Sequence, residues 1–345
     1  MNKKRYKFLA ALLALMLIFS AVAYAAAATP AINLNRLFPS DYPAVDYDWK
    51  AGVTSDAEYA ASPLQIERGH EPKAPSGISL KTLLINTDGK SPAMQLNVYY
   101  PRFKARKNLP VIYFTHAGGF IFRKSFYDYE RYQKLANDTG AAVVTPRYQI
   151  ASENPFPMAL YNAMNGLKYV YNNADKLGTT QNIILMGEGA GGGLAAALAI
   201  YNRDNDNIPL AGEILVYPML DSNTGSAKNV PGNWSNKAIA YAWGKYVGGQ
   251  PIAPELKNYF APALTLATDL TNLPPAYIFV GDQDIFAPEA KIYAAKLTEA
   301  GVKTNFRLAP NVNHGFDLDE PTAGSTKDFW EETYNVIDAM FAGKY

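Results

Sequence analysis

The sequence predicts an α/β protein with a mostly parallel central sheet and helices on both faces, and three observations carry that expectation. Short apolar runs alternate with segments of helical spacing from about residue 78 to the C-terminus, which is the signature of repeated strand–helix units. Runs such as Pro110 to Thr115 and Ala276 to Val280 have almost no polar face, as strands buried on both sides require. Several of these runs stop at glycines or at a histidine, and in such sheets ligands gather at the carboxyl ends of the strands.

The segments follow in order. Lys3, Lys4, Arg5 and Lys7 precede an apolar run from Phe8 to about Val22, closed by Ala21, Ala23 and Ala25. This is the pattern of a cleavable secretory signal over residues 1–25, which implies a secreted or periplasmic protein; left uncut, the same run is nearly long enough to anchor the chain in a bilayer. Residues 26–76 are rich in Pro, Asp, Tyr and Ala without strand alternation and read as an N-terminal arm or partial cap. The main domain is expected over 77–345. Ile78 to Asn86 and Gln95 to Tyr100, joined by the turn at Asp88 and Gly89, form an antiparallel pair at one sheet edge.

Further strands are expected at Pro110 to Thr115, Ala141 to Thr145, Asn182 to Met186, Glu213 to Tyr217, Ala276 to Val280 and Thr304 to Leu308. Helices are expected at Ala159 to Tyr171, Gly193 to Tyr201, Glu289 to Glu299 and Lys327 to Phe341. The stretch at about 222–258, with Trp234 and Trp243, lacks strand character and reads as a cap insertion over the site.

Bulk composition excludes several functions. With 32 basic against 31 acidic residues and no block of one sign, nothing forms an electrostatic footprint for nucleic acid. Cysteine is absent, which removes disulfides and thiolate nucleophiles. The histidines are His70, His116 and His314, too far apart in sequence for a zinc-type ligand pair. No cofactor or metal is expected.

Three strand ends carry chemistry. His116-Ala117-Gly118-Gly119 follows the strand ending at Thr115; glycines there let backbone N–H groups approach a developing oxyanion. Gly187-Glu188-Gly189-Ala190-Gly191-Gly192 joins a strand to a helix. That is the setting of a nucleophile elbow, G-x-S-x-G, with glycine in the serine position. Asp284 and His314 lie just past two later strands, as an orienting carboxylate and a proton-shuttling imidazole would. Their order, nucleophile position, acid, base, is that of the α/β-hydrolases.

Together these stretches resemble the hormone-sensitive-lipase-like group of bacterial carboxylesterases within the α/β-hydrolases. That group carries an H-G-G-G-[FW] oxyanion motif, a G-[DE]-S-A-G-G elbow, and an Asp and His in this order. Tyr148 with Asn154 to Pro157, Leu215 to Pro218 with Leu220 and Asp221, and Leu273 to Gly281 agree as well. The resemblance runs from about residue 78 to 342. It implies an α/β-hydrolase fold and hydrolysis of short or medium acyl esters. It also assigns Asp284 and His314 to catalysis, an oxyanion hole to Ala117, Gly118 and Ala190, and supporting places to His116, Gly119 and Glu188. Two departures matter: Ala117 stands at the first oxyanion glycine, and Gly189 stands at the nucleophilic serine. Glycine has no hydroxyl, so little or no serine-type esterase activity is expected, and Ser125 has no elbow around it.

Two other readings remain open. The scaffold can serve as a non-catalytic binder of a small ester, acyl ligand or partner, as in cholinesterase-like adhesion proteins that have lost the same serine. Gly187, Gly189 and Gly192 also satisfy the G-x-G-x-x-G dinucleotide fingerprint. That fingerprint belongs to a first strand–helix unit, however, and the next strand runs into Pro218 without the acidic residue a ribose needs.

Overall fold

The computed structural model describes residues 53–62, 71–86, 89, 92–224 and 234–345. The expected signal segment 1–25, most of the arm, His70, Asp88 and residues 225–233 of the insertion lie outside them. The described residues belong to a unit spanning Asp41–Tyr345.

Its centre is an eight-stranded sheet in the order β1-β2-β4-β3-β5-β6-β7-β8. The strands are β1 (Leu80–Ile85), β2 (Met94–Tyr99), β3 (Leu109–Thr115), β4 (Ala142–Pro146), β5 (Thr179–Glu188), β6 (Gly212–Val216), β7 (Ala276–Gly281) and β8 (Thr304–Ala309). The β1–β2 and β2–β4 pairings are antiparallel, and every other pairing is parallel. Each strand expected from the sequence is present. Only β5 differs much in length, because its ladder begins at Leu109↔Thr179, before the apolar run that marks its buried part.

The longer helices are α2 (Tyr129–Thr139), α3 (Met158–Asn172), α5 (Ala190–Asn205), α6 (Asn236–Val247), α8 (Ala287–Glu299) and α10 (Gly324–Phe341). Short ones are α1 (Asp56–Ala61), α4 (Ala174–Leu177), α7 (Lys257–Phe260) and α9 (Phe316–Asp319). Helix α2 was not anticipated, although both its ends carry signals. Asp128 accepts a hydrogen bond from the Arg131 N–H at its N-terminus, and Gly140 closes it at φ 65°, as capping chemistry favours.

The chain steps outward from β3 to β4 and then back past β3 to β5. Right-handed crossovers in opposite directions put α2 and α3 on opposite faces of the sheet. Helix α10 contacts α2, and α5 contacts α3, so both faces are covered. Val111, Ile112, Ile183, Ile184, Leu185, Ile214 and Leu215 are fully buried between the layers, the main source of stability at roughly 1.5–3 kcal/mol per large side chain. Among the described residues, no helix is long and apolar enough to cross a membrane.

Candidate active site

The turn from β5 into α5 is built around Gly189, at φ 52° and ψ −122°. This left-handed conformation favours glycine. Its N–H donates to the Val216 carbonyl (3.0 Å), and its own carbonyl accepts from Gly193 (3.1 Å) and Met219 (2.9 Å), fixing the turn on three sides. Flanking glycines are there for space. A Cβ on Gly191 would lie 2.1 Å from the Thr115 carbonyl oxygen, and one on Gly187 2.3 Å from that of Gly191. Gly189 is different: a Cβ there would meet nothing closer than His314 Nε2 at 3.6 Å and the Ala117 Cβ at 3.7 Å. There is room for a side chain, and that room faces an imidazole.

The imidazole is held from behind. Asp284 leaves β7 buried, with Oδ1 accepting the Phe286 N–H at 2.8 Å and Oδ2 2.8 Å from His314 Nδ1. A carboxylate oxygen only accepts, so Nδ1 carries the hydrogen and Nε2 is left toward Gly189. The Tyr217 and Phe286 rings meet His314 edge-on, with centroids 4.6 and 5.0 Å away. This arrangement holds the imidazole in one tautomer and lets Nε2 take a proton from a group placed beside Gly189.

The loop after β3 forms the opposite wall. His116 is buried and stacks on Tyr148 at 4.0 Å, and the Tyr148 hydroxyl donates to the His116 carbonyl at 2.7 Å. Burial pushes the His116 ring down to about 3, against the pull of the Ala117 carbonyl and with added push from Arg123 and Arg147. The ring is therefore neutral near pH 7, and its Nδ1–H donates to the Ala117 carbonyl at 2.7 Å. Carbonyl and N–H of one trans peptide point opposite ways, so this bond turns the Gly118 N–H away from His116. Gly118 sits at φ 126°, where a Cβ would lie 2.3 Å from the Phe122 oxygen; only glycine fits.

Ala117, Gly118, Gly119, Gly189 and Ala190 line one side of a small cavity. Met219, Trp234, Ile239 and Phe286 give it an apolar side, and His314 completes it. Gly119, expected only as support, lines it too. His116 and Glu188 stand behind the wall, and Ser125 lies in a separate buried turn, Lys124–Tyr127.

Sequence reasoning missed the group that ties the two halves together. Arg131, on α2, reaches between the strand ends. Its guanidinium donates to both carboxylate oxygens of Glu188, through Nη1 at 2.7 Å and through Nη2. It also donates to Asp317 Oδ2 at 2.5 Å, and the Tyr217 hydroxyl donates to Asp317 Oδ1 at 3.0 Å. Glu188 precedes Gly189, and Asp317 follows His314 by one helical turn. Burial raises the Glu188 carboxyl above its usual range against the Arg131 charge, which Asp317 shares. The available signals were Asp317, placed i+3 from a candidate base, and the capped helix carrying Arg131. Tyr59 of α1 stacks on Phe122 and donates to the Ile121 carbonyl at 2.9 Å. Asp56 accepts from Tyr241 of α6 and pairs with Lys245 at 2.7 Å.

The fold and this site define the class. A profile described as the alpha/beta hydrolase fold matches residues 111–318, and the chain belongs to that family. It is 31% identical over 234 residues to the carboxylesterase NlhH of Mycobacterium tuberculosis, covering 64% of this chain and 70% of that one. It is 26% identical over 225 residues to a putative alpha/beta hydrolase of Acanthamoeba polyphaga mimivirus, covering 64% of each, just under two thirds of that relative's length. Among solved structures, a bacterial heroin esterase superposes with a TM-score of 0.70 at 28% identity, over 78% of this chain and 86% of that one.

Proposed function

We propose that this chain is an exported carboxylesterase-type hydrolase in which short or medium acyl esters meet His314, Asp284 and an oxyanion hole, but no hydroxyl nucleophile. The observation that carries this reading is the room beside Gly189, 3.6 Å from His314 Nε2, with Asp284 bonded behind the ring. In a full cycle a serine at 189 would attack the ester carbonyl, His314 would take its proton and return it to the leaving alcohol, and Asp284 would orient the ring. The N–H groups of Gly118 and Ala190, with those of Ala117 or Gly119, would hold the oxyanion, each donor lowering the barrier by about 3–4 kcal/mol. With Gly189 the covalent route is closed, leaving at most slow attack by a water activated by His314. The esterase names of the relatives and the apolar wall of Met219, Trp234, Ile239 and Phe286 support an acyl ligand. Export rests on the basic and apolar pattern of residues 1–25, and a cap formed by the arm and the 222–258 insertion is supported by the bonds from Asp56 to Tyr241 and Lys245.

The test is hydrolysis of p-nitrophenyl butyrate by the unaltered protein and its Gly189→Ser variant. The variant is expected to turn over at least about 10³-fold faster. Equal, negligible rates in both would sink the esterase reading.

A further inference from the structure

We infer that the loop between β2 and β3 docks on an anionic lipid bilayer, with Phe103 entering the headgroup layer and Arg102, Lys104, Arg106 and Lys107 meeting lipid phosphates. The inference goes beyond the hydrolase reading and does not rest on it.

Residues 102–107 read Arg-Phe-Lys-Ala-Arg-Lys. Charge is even over the chain as a whole, and that balance conceals a local block of four cations without a carboxylate, which corrects the expectation that no block of one sign exists. All six residues are exposed, and Phe103, at 92%, is more exposed than any other large apolar side chain among the described residues. A lone apolar residue on a surface is ordinary. One set among four cations has the composition of a membrane-surface anchor, in which an aromatic ring enters the interface and basic groups meet anionic headgroups.

The cations are not spent within the protein. Among the described residues every ion pair involves other basic side chains. Of the carboxylates at the adjoining helix ends, Asp138 is taken by Lys134 and by the Tyr334 hydroxyl at 2.7 Å, and Asp175 is exposed beside Lys176.

The loop is also held in shape from beneath. The Arg102 N–H donates to Asn137 Oδ1 at 2.9 Å, and the Lys107 N–H donates to the Ala105 carbonyl at 2.8 Å. The Arg106 guanidinium lies 4.4 Å from the centre of the Tyr100 ring and donates to Ser79 Oγ at 3.0 Å. A Cβ on Gly178 would run into the Arg106 carbonyl, and one on Gly140 into the Lys104 ammonium, so both glycines let neighbouring elements close on the loop. A backbone pinned on both flanks presents Phe103 with little ordering left for the moment of binding.

Position agrees with this use. Strand β2 runs antiparallel to β4, with Tyr99 beside Val143, so the loop lies at the amino ends of the parallel strands. The cavity lies at their carboxyl ends, and docking leaves it uncovered. A nucleic acid is the rival polyanion. Four cations around one exposed ring form a spot, however, whereas duplex binding needs phosphates tracked along a basic face.

The experiment follows the fluorescence of a full-length Phe103→Trp variant on vesicles with brominated acyl chains, either pure phosphatidylcholine or equimolar phosphatidylcholine and phosphatidylglycerol. The unaltered protein alongside supplies the background of its own tryptophans. Residues 1–25 hold no tryptophan, so capture through that segment leaves the indole at 103 unquenched. Quenching is expected on the anionic vesicles, with at least about tenfold more lipid needed for pure phosphatidylcholine. Raising salt from about 0.05 to about 0.5 M should weaken binding at least about tenfold. Adding Arg102→Gln, Lys104→Gln and Lys107→Gln should weaken it about a hundredfold, at roughly fivefold per cation; Arg106 is kept for its bonds to the fold. Every substituted side chain is exposed, and an unchanged near-ultraviolet circular dichroism spectrum identifies the folded variants. The inference is overturned if the indole stays unquenched while vesicles capture the chain, if neutral vesicles bind as tightly, or if the three glutamines change nothing. Tighter binding of a short DNA duplex, lost with the same three substitutions, overturns it in favour of nucleic acid. No ester is present in any arm, so failure here leaves the Gly189→Ser test untouched, and failure of that test leaves this one standing.

Discussion

His116 and His314 occupy matching places in the chain, each just past the end of a parallel strand, and both are buried. Their company separates them. His116 is packed flat on Tyr148, its Nδ1 is spent on the neighbouring carbonyl, and its Nε2 faces no partner among the described residues. His314 has a carboxylate on Nδ1 and presents Nε2 to the cavity beside Gly189. A proton shuttle needs a ring fixed at one nitrogen and open to the reacting group at the other. Only the second site provides that. The first provides a neutral prop that sets the orientation of one peptide.

The largest test of this contrast combines each histidine substitution with Gly189→Ser. His314→Gln is expected to lower kcat for p-nitrophenyl butyrate by about 10³–10⁴-fold. His116→Phe keeps the stack on Tyr148 and loses only the bond to Ala117, so the loss should stay below the 10²–10³ of a deleted oxyanion donor. Equal losses would erase the distinction drawn here.

The brace between the two halves gives the next effect. Arg131→Met leaves Glu188 and Asp317 buried without their common cation, and chemical denaturation should show a loss of about 3–5 kcal/mol. A loss below about 1 kcal/mol would mean the carboxyls find other partners.

The smallest effect is a pH dependence. His116 is depressed to about 3 against roughly 6.5 in the unfolded chain. Between those values the unfolded state binds the extra proton, so this residue's contribution to stability is full above about pH 6.5 and is lost progressively as pH falls toward 3. His116→Phe should remove that slope. Urea unfolding at pH 7 and pH 4.5 should show a drop smaller by about 2–3 kcal/mol in the variant than in the unaltered protein; parallel curves would place the protonation elsewhere.

Much of this was legible beforehand. The apolar runs that mark β3, β6 and β7 are strands because both faces are covered, and burial on both faces leaves a pattern no surface strand shows. The glycines at 118 and 189 mark turns at the strand ends in the sequence, because the backbone freedom of glycine is a local property. Helix α2 was missed despite its Asp128 and Gly140 caps, because its buried side, with Tyr132, Gln133 and Leu135, mixes polar and aromatic residues. Helix α5 begins at Ala190 and not at Gly193, since the glycine-rich start reads as a loop until the Gly193–Gly189 bond is seen to close its first turn.

The sequence by itself determined the strand order along the chain, the strand-to-helix turn at Gly189, and the choice of His314 and Asp284 as candidate partners, because each depends on residues close in sequence or on their order. Tertiary structure alone decided that Arg131 bridges Glu188 and Asp317, 57 and 186 residues away. It alone brought Ala117 and His314 to opposite sides of the Gly189 floor, and Trp234 to the cavity wall. Those contacts depend on how crossovers return the chain across the sheet, and spacing along the chain does not record them.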